Sequence, residues 1–210
     1  MLGKDQLEIY KKQIKNNPQL EEVLSFCNFE FRDNIDVKED ILICGEESNY
    51  EIYPFGKDGC GCTYALLNNQ YVGFISSAGG CGIIANNIKD FFNFLAVIKN
   101  IESYFVKGVF DNLENFNDTF KMASEDFLDS ITRFGNYSYD VSIQALEKFI
   151  IDNGFVTDNA IMYEKLKSAL ITEPSFVLRA DPSEYEPWDD VFYTNQKYIN
   201  ELREKKVNHD

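Results

Sequence analysis

Four short runs rich in β-branched and aromatic residues lie within forty positions of this chain, and they constrain its fold more than any other feature. They are "ILICG" (41–45), "YEIYPFG" (50–56), "CTYALL" (62–67) and "YVGFISS" (71–77). Each run has the length and composition of a strand. Connections this short cannot hold the crossover that parallel strands need, so the strands must be largely antiparallel. Asn68 and Asn69 predict a tight hairpin between the last two runs, because asparagine tolerates positive φ.

Amphipathic helices are predicted on both sides of these strands. In the N-terminal segment, apolar residues at 3–4 spacing predict a helix over 4–14, and Asn17 caps a second helix that runs to about residue 26. After the strands, a wide apolar stripe predicts a helix over 88–101, with Asn86 or Asn87 as its cap. We expect this helix to cover one face of the sheet.

The remainder of the chain is predicted to be mainly helical. The predicted helices are 113–133, a segment that begins at Asp140 or Ser142 and stops at Gly154, a segment that begins at Thr157 or Asp158 and ends before Pro174, and about 191–206. The sequence therefore predicts an α+β fold, with a mostly antiparallel sheet of about four to six strands covered by helices. Residues 1–106 form the predicted α+β domain. Residues 107–210 form a helical C-terminal extension, which can pack on the first domain as one globular unit.

The charge of the chain narrows the choice of partners. It has 35 acidic and 20 basic residues and a formal net charge of −15. Nucleic-acid binding needs Lys and Arg to displace counterions from phosphates, so no nucleic-acid partner is expected. An acidic surface attracts basic partners instead, although the same charge also serves solubility alone.

Hydropathy and cysteine content predict a cytoplasmic protein. No apolar run approaches the ~20 residues of a membrane span, and the N-terminal segment lacks the apolar core of a signal peptide. We therefore expect no membrane insertion. The count of five cysteines is odd, which favours reduced thiols in the cytosol.

The residues that usually carry catalysis or bind metals are sparse. His209 is the one histidine, so a Ser-His-Asp, Cys-His or His-containing zinc site would depend on the penultimate residue. Cys60 and Cys62 have C-x-C spacing rather than the C-x2-C of zinc and redox sites, and residues two apart on a strand share a face. With Cys81, they are predicted to be small packing residues. No catalytic, cofactor-binding or metal-binding residue is predicted, and no cofactor is expected.

Two glycine clusters flank this region. "GKDGCG" (56–61) lacks the order of a P-loop, and its glycines are predicted to permit positive φ or a bulge between strands. In "AGGCG" (78–82), the glycines are predicted to let the chain leave the sheet and enter the covering helix. Asp58 has two predicted roles, as a turn-former that bonds its own backbone or as a contact residue for a partner.

The stretch from 50 to about 100 resembles the SUKH superfamily, in particular the fungal cell-wall-assembly-regulator branch and its bacterial relatives. The resemblance lies in the order of a strand, a turn, an aromatic-led strand, a hairpin, the pair Ile84-Ala85 and a helix with Phe91, Phe92 and Leu95. The family-motif residues are Pro54, Phe55, Gly56, Asp58, Gly59, Gly61 and Tyr64. The resemblance implies an α+β domain that functions by binding, without a catalytic residue set. Bacterial members resemble immunity proteins that neutralise polymorphic toxins, and fungal members act as regulatory scaffolds.

Two functional hypotheses follow from this resemblance. The first is a non-enzymatic immunity protein that holds a bacterial toxin domain, for example a basic nuclease, by direct contact. The alternative is a regulatory scaffold in cell-wall or glucan synthesis. An aromatic residue ringed by acids can anchor an interface with a basic protein. The candidate partner-binding residues are Glu46, Glu47, Asp58, Glu184, Glu186, Trp188, Asp189 and Asp190. The alternative for the acids at 46–47 and around Trp188 is that they lie in solvated loops without a partner.

Overall fold

Two helices open the chain and pack on each other. The computed structural model describes the backbone of residues 3–42, 46–106, 108–179 and 189–190, and their side chains except those of 179, 189 and 190. Helix α1 spans Gly3–Lys15 and helix α2 spans Pro18–Ser25. The Asn17 side chain accepts a hydrogen bond from the Leu20 N–H at 3.1 Å, and Pro18 occupies the first helical turn. Both predicted N-terminal helices are confirmed.

The main sheet is mostly antiparallel, as predicted. Its strands are β1 (Glu30–Phe31), β3 (Ile52–Lys57), β4 (Thr63–Leu67), β5 (Tyr71–Ile75), β6 (Gly80–Ala85) and β8 (Asp189–Asp190), and they lie in the order β1-β3-β4-β5-β6-β8. The first five are antiparallel neighbours, and β8 pairs parallel with β6. A separate two-stranded sheet joins β2 (Glu47–Ser48) and β7 (Leu178–Arg179). The predicted α+β fold class is confirmed.

The hairpin between β4 and β5 forms where the asparagines predict it. Asn68 and Asn69 have φ values of +50° and +58°, and the Gln70 N–H donates to the Leu67 carbonyl at 3.0 Å, so the two asparagines are the left-handed central residues of a β-turn in a three-residue loop. Leu67 lies opposite Tyr71, so the strands pair up to the turn.

Two predictions about the strands were wrong. The run at 41–45 does not begin a strand: Val37–Ile41 forms one turn of π-helix, because the Asp36 side chain accepts hydrogen bonds from the N–H groups of residues 38 and 39 and starts a helical turn. Residues 43–45 lie outside the described residues. Gly80 and Gly82 do not lead the chain out of the sheet, since both lie inside β6, where Gly82 pairs with Phe74 of β5 and Gly80 pairs with Asp189 of β8. Gly79 alone in this cluster has positive φ, +94°, and forms the preceding turn.

The later helices form where the sequence predicts them, although the helix predicted over 88–101 ends at Ile98, because Lys99 adopts a φ of +65°. They are α3 (Ile88–Ile98), α4 (Leu113–Phe134), α5 (Tyr139–Asn153) and α6 (Asn159–Leu170), with a 3-10 turn at Ile101–Tyr104. Asn87 caps α3 and Asp158 caps α6, and Gly154 ends α5 in the left-handed conformation. The predicted helix at 191–206 lies outside the described residues. No helix in the described part of the chain is long and apolar enough to cross a membrane.

A hydrophobic core runs without interruption from the N-terminal helices to α6. Tyr10 of α1 packs at 4.6 Å between ring centroids on Phe92 of α3, and both rings contact Phe149 of α5. On the other face of the sheet, a smaller cluster joins Ile41 and Phe176 to the strand residues that point that way. Both faces of the sheet are therefore covered.

Candidate functional site

The turn between β3 and β4 is held by Asp58. Its Oδ1 accepts hydrogen bonds from the N–H groups of Cys60, at 2.9 Å, and Cys62, at 2.7 Å. The Asp58 N–H donates to the Cys62 carbonyl at 3.1 Å, and Gly61 adopts a φ of +89° that only glycine accepts readily. Asp58 is 8% exposed and thus fills the turn-forming role.

A carboxylate from a distant part of the chain meets this turn. Glu102, in the 3-10 turn, lies beside Asp58 and Cys62, and one ligand atom from each of the three lies within 4.8 Å of the other two. Asn28, in the turn that follows α2, donates from Nδ2 to Glu102 Oε1 at 3.3 Å. The Tyr64 hydroxyl in turn donates to the Asn28 carbonyl at 3.0 Å. Three separate segments therefore converge on one group of polar side chains.

Burial shifts the pKa values of the Glu102 carboxyl and the Cys62 thiol. Burial raises the pKa of the Glu102 carboxyl from 4.5 to about 7, and the adjacent Asp58 carboxylate acts in the same direction. Burial also raises the pKa of the Cys62 thiol, although the Ser77 N–H, 3.4 Å from the sulfur, lowers it in part. Two acids at this distance resist carrying two negative charges at once, so the cluster favours a shared proton or a cation.

The cysteines do not lie together as the sequence predicts. Cys60 is exposed in the turn and Cys62 is buried just before β4, so the two do not share a strand face. Gly61, with its positive φ, turns the backbone between Cys60 and Cys62, so their side chains do not point the same way as they would on a regular strand. Cys81 packs in the cluster on the other face of the sheet, with Sγ 3.7 Å from the Phe176 carbonyl oxygen.

The family-motif residues build the bend of β3 and its aromatic packing. The pairing of β3 with β4 shifts register between Pro54 and Gly56, which leaves Phe55 as the bulged residue. Phe55 is buried in the main core. A Cβ atom at position 56 would lie 2.5 Å from Cε2 of Phe29, so glycine allows this close approach. The predicted bulge is present, and the motif has a packing role here.

The candidate partner-binding residues are not brought together among the described side chains. Glu46 is 6% exposed, whereas Glu47 is exposed at the start of β2. Asp189 and Asp190 form β8, next to β6, and their side chains are not described. Glu184, Glu186 and Trp188 lie outside the described residues.

Helix α4 presents an acidic surface that is not among the residues predicted to bind a partner. Its buried stripe includes Phe116, Ala123, Phe127 and Ile131. The side directly opposite carries the exposed residues Asp118, Met122, Glu125 and Asp129, which we call the α4 outer stripe. The helical period alone places these four residues on one face, so the signal was present in the sequence. Met122 is 65% exposed, and an apolar side chain among carboxylates suits a protein contact.

No protein-family model matches this chain, and no curated protein or solved structure matches it either.

Proposed function

We propose that this chain is a non-enzymatic protein-binding module, an immunity-type protein that neutralises a basic toxin domain by direct contact. The observation that carries the proposal is the α4 outer stripe, three carboxylates around an exposed methionine on the solvent side of a well-packed helix. Asp129 also pairs with Arg133 of the same helix at 2.7 Å, and a basic partner would compete for this exposed carboxylate. The resemblance of residues 50–100 to the SUKH superfamily supports it, because that family acts by binding.

The stripe has the dimensions of a docking surface. Helix α4 has 22 residues, which corresponds to a length of about 33 Å. Asp118 and Asp129 stand about 16 Å apart along its axis, which matches a row of Lys or Arg side chains on a partner. The buried side of the helix packs in the main core, so the stripe stands on a rigid element.

The net charge of the chain adds long-range attraction to these contacts. A formal charge of −15 steers a basic domain toward the surface and disfavours an acidic one. Such attraction between exposed charges is screened by salt, since the Debye length falls from about 10 Å at 0.1 M to about 3 Å at 1 M. Binding to the partner should therefore weaken as salt is added, and the protein should have no turnover of its own.

The first test is capture of the partner. Tagged protein is used in a pull-down from its native cell, and the proteins that bind are identified and quantified. The proposal predicts one basic partner in a stoichiometric complex. Recovery of several envelope enzymes, with no single stoichiometric partner, would instead support the regulatory scaffold in cell-wall or glucan synthesis.

A charge-neutral variant then tests the stripe itself. Asp118→Asn, Glu125→Gln and Asp129→Asn together remove three charges from α4. Three exposed ion pairs at about 0.5 kcal/mol each predict about a tenfold loss of affinity. The matched control removes three exposed charges elsewhere, with Glu8→Gln, Glu39→Gln and Glu164→Gln. Equal losses in both variants would show that net charge, rather than this stripe, drives binding.

A further inference from the structure

We propose that Asp58, Cys62 and Glu102 bind a zinc ion, in a site independent of the α4 outer stripe. One carboxylate oxygen of Asp58, the Cys62 sulfur and one carboxylate oxygen of Glu102 lie within 4.8 Å of one another. The sequence pattern predicts no metal here, because Glu102 is distant from the other two along the chain. The fold brings the three together.

An unpartnered oxygen points to a missing ligand. Asp58 is more than nine-tenths buried, and its Oδ1 already accepts two backbone N–H groups. Its Oδ2 is buried and accepts no backbone N–H among the described residues, and the side chains that reach the Asp58 carboxylate are the Glu102 carboxyl and the Cys62 thiol, which are the other two proposed ligands. A buried carboxylate oxygen without a partner is costly, and a bound cation removes that cost.

The charges around the three side chains also favour a bound cation. Neither Asp58 nor Glu102 forms an ion pair within the part of the chain that the structure describes. Two carboxylates and a thiol, packed together and partly buried, repel one another when ionised. A divalent cation bound by the two carboxylate oxygens and the sulfur would neutralise this negative charge and remove the repulsion between them.

The donor atoms select zinc over the hard cations. A thiolate favours zinc, whereas magnesium and calcium prefer oxygen ligands alone. Zinc binds sulfur at about 2.3 Å and carboxylate oxygen at about 2.0–2.2 Å, so tetrahedral ligands lie about 3.4–3.6 Å apart. The three ligand atoms lie within 4.8 Å of one another, so they must close by at most about 1.4 Å, which a rotation of the longer Glu102 side chain can supply. The fourth position is left to water.

Neighbouring groups are placed to orient the ligands. Asn28 holds Glu102 through Oε1 at 3.3 Å, and the Ser77 N–H points at the Cys62 sulfur from 3.4 Å. Hydrogen bonds of this kind fix ligand orientation and support a thiolate. Zinc bound here would link the turn at 58–62 to the 3-10 turn at 101–104 and to the turn that follows α2.

The test is metal titration of the purified, reduced and chelator-treated protein. Isothermal titration with zinc chloride should show one saturable site per chain. Cobalt(II) should give a near-ultraviolet thiolate-to-cobalt charge-transfer band at the same stoichiometry. Cys60→Ser is the matched control, since this exposed thiol lies two positions from Cys62, and it should leave both signals unchanged.

Ligand variants decide the outcome. Cys62→Ser should remove the charge-transfer band, and Glu102→Gln should weaken zinc binding at least about tenfold, since even outer groups of zinc sites cost 10–100-fold. Glu102 is partly exposed, so its variant is expected to fold, and far-UV circular dichroism checks both variants. A band that persists in Cys62→Ser but is lost in Cys60→Ser would overturn the proposal. So would the absence of a saturable zinc site in the original chain.

Discussion

A single buried asparagine ties the sheet-covering helix to the C-terminal half of the chain. Asn93 of α3 donates from Nδ2 to the Val156 carbonyl at 2.8 Å and accepts the Val156 N–H on Oδ1 at 3.0 Å. It is 1% exposed. One side chain thus satisfies both backbone groups of a residue 63 positions away, as a neighbouring strand would. We predict that Asn93→Ala destabilises the whole protein.

The size of the effect follows from the groups left behind. A buried N–H or C=O without its partner costs about 1–3 kcal/mol. Val156 is only half-buried, so water can partly replace the hydrogen bonds that Asn93 makes. Loss of both bonds to the Val156 N–H and C=O should therefore lower the free energy of unfolding by about 2–4 kcal/mol. Alanine is a better helix former than asparagine by about 0.5 kcal/mol. The expected net loss is about 1.5–3.5 kcal/mol, a large part of the ~5–15 kcal/mol that stabilises a domain.

Urea unfolding followed by far-UV circular dichroism measures this loss. The matched control is Asn117→Ala on α4, where the asparagine is exposed and its Oδ1 accepts a hydrogen bond from Nδ2 of the half-buried Asn159 at 3.0 Å. That variant should change the free energy of unfolding by less than about 0.5 kcal/mol. If Asn93→Ala also stays within 0.5 kcal/mol of the original protein, the bridge to Val156 does not stabilise the fold and the reasoning fails.

Three further predictions use the same unfolding assay. Gly56→Ala should lower the free energy of unfolding by about 1–3 kcal/mol, because the added Cβ would meet the buried ring of Phe29. Gly59→Ala is the control and should be near neutral, because nothing lies within 4 Å of its Cβ position. Equal effects of the two variants would contradict this prediction. Gly154→Ala should cost about 1 kcal/mol, because φ is +57°, and a neutral result would contradict the strain argument. In metal-free protein, the pKa of Glu102 lies at about 7 in the folded state and near 4.5 in the unfolded state. Its stabilising contribution is therefore complete below pH 4.5 and is lost as pH rises toward 7, by about 1–2 kcal/mol after allowance for solvent screening. Glu102→Gln should flatten this slope, and superimposable slopes would refute it.

Local features of the fold were predictable from the sequence because they depend on neighbours in the chain. Asn17 and Gly154 mark helix ends through bonds or φ values within their own turn, and Asn68 with Asn69 sets the hairpin by local backbone preference. The α+β class followed from the short connections between strands, which leave no room for a crossover.

Features that depend on distant contacts were not predictable. The separation of Cys60 from Cys62 follows from the turn at Gly61, which β periodicity does not reveal. The meeting of Asp58 with Glu102 depends on how the 3-10 turn packs beside the sheet. The π-helical turn at Val37–Ile41 takes in Ile41, the first residue of the run predicted as a strand, and is set by the cap at Asp36.

The central claim is that this protein binds a basic partner through the α4 outer stripe. The most direct test measures the dissociation constant of the captured partner across a salt series, for the original chain, the three-charge stripe variant and the three-charge control. The proposal predicts that the affinity of the original chain falls steeply as salt is added. At low salt the stripe variant should bind about tenfold more weakly than the original chain, and the control variant should lose less affinity than the stripe variant does. Affinity that ignores salt, or a stripe variant that binds as well as the original chain, would contradict it.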